Sequence, residues 1–172
     1  MKDNKYFYQP YNNNFRQLYR EEEKKLKNIL TNDMVLEHCG STVIPGLGGS
    51  GIIDILLGSK LDLIPVIAKK LQVADYNYKP NNSNKYSLFF SYDYPGIILR
   101  TVHIYLVEIN KKEWVSKLAF RNFLLKYNKI AEEYNQLKKR VISLKEEEKE
   151  IYEEALQDFL DKLTKQALKE YA

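Results

Sequence analysis

The chain has 172 residues, of which 44% are hydrophobic and 29% are charged. A chain of this length is expected to form one domain over residues 1–172 and to bury roughly 70% of the surface that it exposes when unfolded. It contains no uninterrupted apolar run of about 18 residues, so we expect no membrane association. The net charge of +4 comes from interleaved Lys and Glu residues, which weakly favours an anionic ligand and leaves nucleic acid as the least supported partner.

The cellular compartment is predicted from the N-terminus and the cysteine content. The opening sequence, MKDNKYFYQPYNNNF, is polar and aromatic and lacks the apolar core of a secretory signal. The single cysteine, Cys39, cannot form an internal disulfide. We therefore expect a cytoplasmic protein.

The first half of the chain alternates between helical and strand-like patterns. Apolar residues recur at helical intervals over residues 14–30, which predicts an N-terminal amphipathic helix. The apolar runs DMVLEHCG (33–40) and GIIDILLG (51–58) are short and bounded by glycine, which is typical of neighbouring buried strands. Residues 60–73 return to helical spacing, with Pro65 expected in the first turn.

The second half reads as strands followed by helices. The turn KPNNSN separates the strand-like runs DYNY and KYSLFFSYDY, and the alternating run TVHIYLVE (101–108) follows. Alternation places His103 on one face and Glu108 on the other, without deciding which face is buried. Helices are predicted from residue 111 onward, with an apolar stripe in the last one formed by Ile151, Ala155, Phe159, Leu163 and Ala167. These patterns predict an α+β fold with a mixed β-sheet flanked by helices and a C-terminal helical segment.

Five of the seven glycines lie between Gly40 and Gly51. The run GLGGSG (46–51) matches the dinucleotide-binding pattern, but that pattern requires a helix after the glycines, whereas a strand-like run follows here. A phosphate-binding P-loop is also excluded, because Ile52 stands where a lysine should follow the last glycine.

A third arrangement fits the glycine stretch better. Gly40 and Ser41 are followed, after a spacer of about a dozen residues, by Asp54 in an aliphatic strand. This is the layout of nucleotidyltransferase-type sites. The turn can hold a triphosphate through backbone N–H groups and the Ser41 hydroxyl, and the strand aspartate can hold Mg²⁺ over it.

The same residues carry a resemblance to the GrpB (UPF0157) family, whose members share a nucleotidyltransferase-like fold. The matching segments extend over nearly the whole chain: EHCGSTVIPGL (37–47), IIDILLG (52–58), RTVHIYLVE (100–108), WVSKLAFRNFL (114–124) and YNQLKK (134–139). The resemblance implies a Mg²⁺-dependent nucleotidyltransferase-like protein that binds a nucleoside triphosphate and acts on an unidentified acceptor.

The resemblance also implies roles for individual residues. Asp54 is the expected metal ligand, and it forms the expected catalytic group together with Glu108 and His103. Phosphate binding is expected from Gly40, Ser41, Thr42, His38, Arg100 and Arg121. For the two arginines, structural ion pairs are the alternative.

One feature favours a different function on the same fold. Nucleotidyltransferases normally carry a second carboxylate two residues from the first, but Ile52 and Leu56 stand at that spacing from Asp54. Further metal ligands would have to come from Glu108, Glu37 or the substrate. Polar positions of the family have also changed, at Ser50-Gly51, Tyr105, Asn122 and Leu156. The alternative is therefore a catalytically degenerate nucleotide-binding or protein-interaction module.

Overall fold

The computed structural model of the protein describes residues 8–30, 33–96, 100–143 and 146–171. The predicted α+β class is confirmed, with one mixed sheet flanked by helices. In chain order the helices and strands are α1 (Asn14–Ile29), β1 (Met34–Cys39), β2 (Ile53–Ser59), α2 (Ile64–Val73), β3 (Asn77–Tyr78), β4 (Ser87–Asp93), β5 (Thr101–Glu108), α3 (Lys112–Lys126), α4 (Asn128–Ser143) and α5 (Glu146–Tyr171).

The five strands form one sheet in the order β1-β2-β5-β4-β3. β2 and β5 run parallel, and the other neighbouring strands pair antiparallel. The register places Cys39 of β1 and His103 of β5 on either side of Asp54 in β2. Because directly opposed residues in a sheet share a face, these three side chains lie on one surface of the sheet.

The opposite surface of the sheet packs on α1 and α2 and forms the main core. Alternate residues of β5 are buried there, which settles the question that alternation left open: Val102, Ile104 and Leu106 face this core. Pro65 lies in the first turn of α2, as predicted, where its missing N–H removes no helical hydrogen bond. The principal buried members of this core are Phe15, Leu26, Ile55, Leu57, Leu71, Tyr76 and Phe90.

The surface that carries Asp54 is covered by the C-terminal helices. Trp114 of α3 packs on Cys39, Leu56 and Val107 of the sheet. A further apolar cluster between the helices contains Leu163 and Ala167 of the predicted stripe, with Phe159 packed against it. The side chains of Ile151 and Ala155 lie outside the described residues. In the described ranges, no helix combines the length and the hydropathy needed to cross a membrane.

A buried carboxylate in α1, that of Glu22, links this helix by hydrogen bonds to Tyr76 and Tyr94. Glu22 has no exposed surface, and its two oxygens accept hydrogen bonds from the hydroxyls of Tyr76 and Tyr94. Lys25 lies 3.8 Å from the same carboxylate and 4.0 Å from the centre of the Tyr92 ring. The charge of Glu22 is therefore buried together with donors and a nearby cation.

We expect Glu22→Leu to destabilise the protein by about 1–3 kcal/mol, because the hydroxyls of buried Tyr76 and half-buried Tyr94 would lose their acceptor. The matched control is Glu23→Ala on the same helix, which removes a partly exposed ion pair with Lys27 and should change stability by less than about 1 kcal/mol. Urea denaturation of the three proteins measures both effects. Equal midpoints for the wild type and Glu22→Leu would show that the carboxylate does not hold the helix.

Candidate functional site

The chain turns at Gly40 directly onto the Asp54 carboxylate. Gly40 follows the last residue of β1 and has φ 72° and ψ −168°, a region essentially restricted to glycine. A Cβ atom at Gly40 would lie 2.1 Å from Asp54 Oδ2. Ser41 comes next and begins a short 3-10 helix. The missing side chain at Gly40 therefore lets the Gly40–Ser41 turn lie against the carboxylate, as the sequence predicts.

Asp54 lies close to two polar side chains of β5. The Tyr105 hydroxyl donates a hydrogen bond to Asp54 Oδ1 over 3.4 Å, and His103 Nδ1 lies 3.6 Å from the same oxygen. Burial and the negative charge of Asp54 raise the pKa of Tyr105 above its ordinary value, so its hydroxyl stays protonated and can donate. The Asp54 side chain is 19% exposed. It therefore remains accessible to a ligand.

A cavity of about 440 Å³ opens over Asp54, between the sheet and the C-terminal helices. The Asp54 carboxylate lines the cavity together with cationic, hydroxyl-bearing and aromatic side chains. The lining residues are Cys39, Gly40, Asp54, Tyr105, Glu113, Ser116, Lys117, Phe120, Arg121, Tyr134, Leu160 and Thr164.

His38 and Thr42 lie beneath the turn and anchor it. Thr42 Oγ1 donates to the carbonyl of Ile52 over 3.1 Å and lies 3.0 Å from His38 Nε2, so the Nε2–H tautomer of His38 completes the pair as donor. The His38 ring stacks on Tyr19 of α1 at 4.5 Å between centroids. His38 and Thr42 are both buried, with 7% and 1% of their surface exposed, respectively. Their contacts support the turn from below.

Arg121 of α3 reaches the cavity, but its charge is already paired. Its Nη1 lies 2.6 Å from Glu37 Oε2 and donates to the carbonyl of His38 over 3.0 Å. Arg121 therefore fixes α3 to the end of β1. A phosphate contact from Arg121 would have to share the guanidinium with Glu37.

Arg100 and Glu108 are placed away from Asp54. Arg100 pairs with Glu21 of α1 at 3.0 Å and stacks on Tyr94 at 4.1 Å. Glu108 ends β5 five residues beyond His103, which corresponds to roughly 17 Å along the strand, and lies 4.0 Å from Lys111. The structure thus groups Asp54 with His103 and the turn, but does not group it with Arg100 or Glu108.

Four residues around Asp54 were not singled out as site residues by sequence reasoning. Tyr105 shares a strand face with His103, so alternation could have indicated it. Lys117 of α3 lies 3.8 Å from the Tyr105 ring centre, and Tyr134 of α4 lines the cavity. Lys138 of α4 donates to the carbonyl of Gly48. Tyr134 and Lys138 belong to the segment YNQLKK, where only the family resemblance marks them.

The glycine loop 46–51 is a packing site. Gln9 and Gly49 exchange two backbone hydrogen bonds, of 2.6 and 3.0 Å, which attach the N-terminal segment to the loop. The side-chain oxygen of Asn135 in α4 accepts a hydrogen bond from the Gly48 N–H over 3.1 Å. A strand follows the loop, which agrees with the rejection of a dinucleotide-binding motif. The loop therefore fixes α4 beside the Gly40–Ser41 turn.

Comparisons with known proteins identify the family. A family model described as "GrpB protein" matches residues 7–166, so the chain belongs to the GrpB family. The UPF0157 protein YqkA of Bacillus subtilis is 27% identical over 133 residues, which are 76% of this chain and 38% of YqkA. The chain therefore spans well under half of YqkA. The glutamate-rich protein GrpB of Alkalihalophilus pseudofirmus is 24% identical over 154 residues, covering 87% of this chain and 88% of that protein.

Solved structures confirm the fold. The crystal structure of the conserved protein GrpB from Enterococcus faecalis superposes with a TM-score of 0.78 at 28% identity, over 96% of this chain and 99% of that one. The Cid1 poly(U) polymerase superposes with a TM-score of 0.51 at 11% identity, over 77% of this chain and 40% of that one. At this identity the second comparison shows a shared fold alone, and the fold is nucleotidyltransferase-like.

We expect Gly40→Ala to destabilise the protein more than Gly46→Ala. Both glycines have positive φ, so alanine strains the backbone by about 1–3 kcal/mol at either position. A Cβ on Gly46 would meet nothing within 4 Å, whereas one on Gly40 would collide with Asp54 and add about 1–3 kcal/mol. Chemical denaturation measures the difference, and equal losses would mean that the turn moves away from Asp54 at little cost.

We expect the free energy of unfolding to decrease as the pH is lowered, because His38 is buried in its neutral form. Burial lowers the pKa of His38 from 6.5 to about 4, so the folded state binds fewer protons than the unfolded state below about pH 6.5. The contribution of His38 to the free energy of unfolding is complete above about pH 6.5. It is lost progressively as the pH falls towards 4. The loss should reach about 2 kcal/mol at pH 5.

The matched comparison for this effect is His38→Gln, which keeps a side-chain donor but does not titrate. The free energy of unfolding of both proteins is measured by urea denaturation from pH 7.5 to 5. The wild type should lose more stability than the variant over this range. Parallel pH profiles for the two proteins would show that His38 ionises normally in the folded state.

Proposed function

We propose that this protein binds a nucleoside triphosphate together with Mg²⁺ at the Gly40–Ser41 turn and Asp54. The proposal is carried by the close approach of Gly40 to the Asp54 carboxylate, which leaves no room for a side chain between them. A phosphate bound by the turn would lie next to the acidic group that holds the cation. The triphosphate and the metal would therefore neutralise each other at one point of the site.

The cavity suits the remainder of such a ligand. Its volume of about 440 Å³ lies within the range of small-molecule and cofactor sites. The rings of Phe120 and Tyr134 offer apolar walls for a base or sugar, and the hydroxyls of Ser116 and Thr164 can donate or accept hydrogen bonds. A nucleotide held by its phosphates at Asp54 could therefore extend along α3 and α5.

The residues present suit one Mg²⁺ ion. No group of three or more His, Cys, Asp or Glu side chains converges as a metal site within the described ranges. Mg²⁺ nevertheless needs only one or two protein carboxylates when it is bound with phosphates, because water and phosphate oxygens complete its coordination. Asp54 can serve as that carboxylate. Bound there, the ion would neutralise phosphate charge.

Nucleotidyl transfer to an acceptor is a second candidate, favoured by His103. In this reaction an acceptor oxygen bonds to the α-phosphorus as the bond to pyrophosphate breaks, and the acceptor loses a proton. His103 is 24% exposed and lies beside Asp54, so it could accept that proton. The absence of a second carboxylate two residues from Asp54 on β2 favours instead a module that binds the nucleotide without catalysis. Both functions require nucleotide binding.

We expect at least one of ATP, GTP, CTP and UTP to raise the thermal stability of the wild type when Mg²⁺ is present. A ligand at 100 times its dissociation constant stabilises by about 2.7 kcal/mol, which corresponds to several degrees for a protein of this size. Asp54→Asn should abolish the part of the shift that depends on Mg²⁺, because the amide cannot replace an anionic metal ligand. Thermal unfolding with and without Mg²⁺ measures both.

The matched control is Asp62→Asn, an exposed acidic residue between β2 and α2, which should respond like the wild type. Pyrophosphate release is measured in the same mixtures, and its appearance would favour the transferase over the binding module. If none of the four nucleotides shifts the unfolding of the wild type with Mg²⁺ present, the proposed function is wrong.

A further inference from the structure

Lys138 presents an incompletely used ammonium group beside the Gly40–Ser41 turn. It projects from α4, and its Nζ donates to the carbonyl of Gly48 and lies 4.5 Å from the centre of the Tyr134 ring. An ammonium group has three N–H donors. The carbonyl of Gly48 is the only hydrogen-bond acceptor that Lys138 reaches among the described residues, so donors remain for a ligand.

The charge of Lys138 is also uncompensated by a close carboxylate. Within the described ranges it forms no ion pair, and the acidic group that acts on it is Asp54, from a distance. Burial lowers the pKa of Lys138 to about 8, and the charge of Asp54 opposes this shift. Holding a half-buried ammonium group without a carboxylate partner is unfavourable, and groups kept in this state often serve a ligand.

The Lys138 ammonium group and the Ser41 hydroxyl lie close to the same backbone position, Gly49. A Cβ atom placed on Gly49 would lie 2.5 Å from Ser41 Oγ and 3.5 Å from Lys138 Nζ. Glycine at this position therefore keeps the space between hydroxyl and ammonium free of a side chain. An anion on the Ser41 side of the turn would come within reach of Lys138.

Two other cations line the cavity from α3. Arg121 is paired with Glu37 at 2.6 Å, and Lys117 lies on the face of the Tyr105 ring at 3.8 Å. The glycine loop itself, GLGGSG (46–51), carries no charged residue. Positive charge for a polyphosphate must therefore come from another element, and Lys138 of α4 is placed beside Ser41 to supply it.

We propose that Lys138 binds the terminal phosphates of the triphosphate through the N–H donors that its contact with the Gly48 carbonyl leaves unused. This inference rests on the proposed function, because it concerns the same site. It assigns α4 a direct part in ligand binding. The contribution of Lys138 to affinity should then depend on the length of the phosphate chain. Nucleoside monophosphates, which do not extend beyond the α-phosphate, should gain little from it.

The test compares Lys138→Met with Lys139→Met, the neighbouring exposed lysine of the same helix. Each protein is titrated by calorimetry, with Mg²⁺, against ATP, GTP, CTP, UTP, their monophosphates and inorganic tripolyphosphate. Loss of a charge-assisted contact should weaken triphosphate and tripolyphosphate binding by about 10- to 100-fold and leave monophosphate binding within about twofold. Lys139→Met should bind like the wild type.

The outcomes separate this inference from the proposed function. If the wild type binds a triphosphate and Lys138→Met binds it equally well, the inference is wrong and the proposed function stands. If Lys138→Met weakens monophosphates and triphosphates by the same factor, Lys138 holds the loop and does not contact phosphate. If the wild type binds no triphosphate, both fail. Lys138→Arg, which retains the charge and donors, should bind triphosphate better than Lys138→Met, and provides the comparison if the methionine variant does not fold.

Discussion

The register between β1 and β2 is the constraint on which the site depends. Because Cys39 stands opposite Asp54, the next residue, Gly40, turns directly beside the carboxylate. The same strand β2 pairs in parallel with β5, which brings His103 to the other side of Asp54. A shift of β2 by one residue relative to its neighbours would turn Asp54 towards the apolar core under α1 and α2. The sheet therefore determines both the access of Asp54 to a ligand and the identity of its neighbours.

The two faces of the sheet have different physical characters. The face under α1 and α2 is filled by aliphatic and aromatic side chains, and the buried acid Glu22 has tyrosine donors for both oxygens. The face under the C-terminal helices is incompletely filled and leaves a cavity whose walls carry Lys117, Arg121 and Tyr105 beside Asp54. The partly exposed carboxylate of Asp54 in this concave site is available to a ligand, whereas that of Glu22 in the apolar core is already paired.

The glycine stretch combines two structural tasks. Gly40 allows close approach to Asp54, and the glycines at 48 and 49 let the N-terminal segment and α4 pack on the loop. Because Asn135 and Lys138 of α4 both bond to this loop, the helix is held beside the turn. A stretch that resembles a cofactor motif when read along the chain thus owes its composition to crowding among three segments distant in sequence.

The sequence alone determined the α+β class, the main strands and helices, and the pairing of the Gly40–Ser41 turn with Asp54, because these follow from local periodicity and a short spacer. It could not place Arg100 and Glu108 away from that site, since strand alternation does not say which face is buried or how far a side chain lies from a neighbour's carboxylate. It also could not identify Lys117, Tyr134 and Lys138, which approach Asp54 only when α3 and α4 fold back over the sheet. Those positions depend on packing between segments separated by 60 or more residues, and only the tertiary structure decides them.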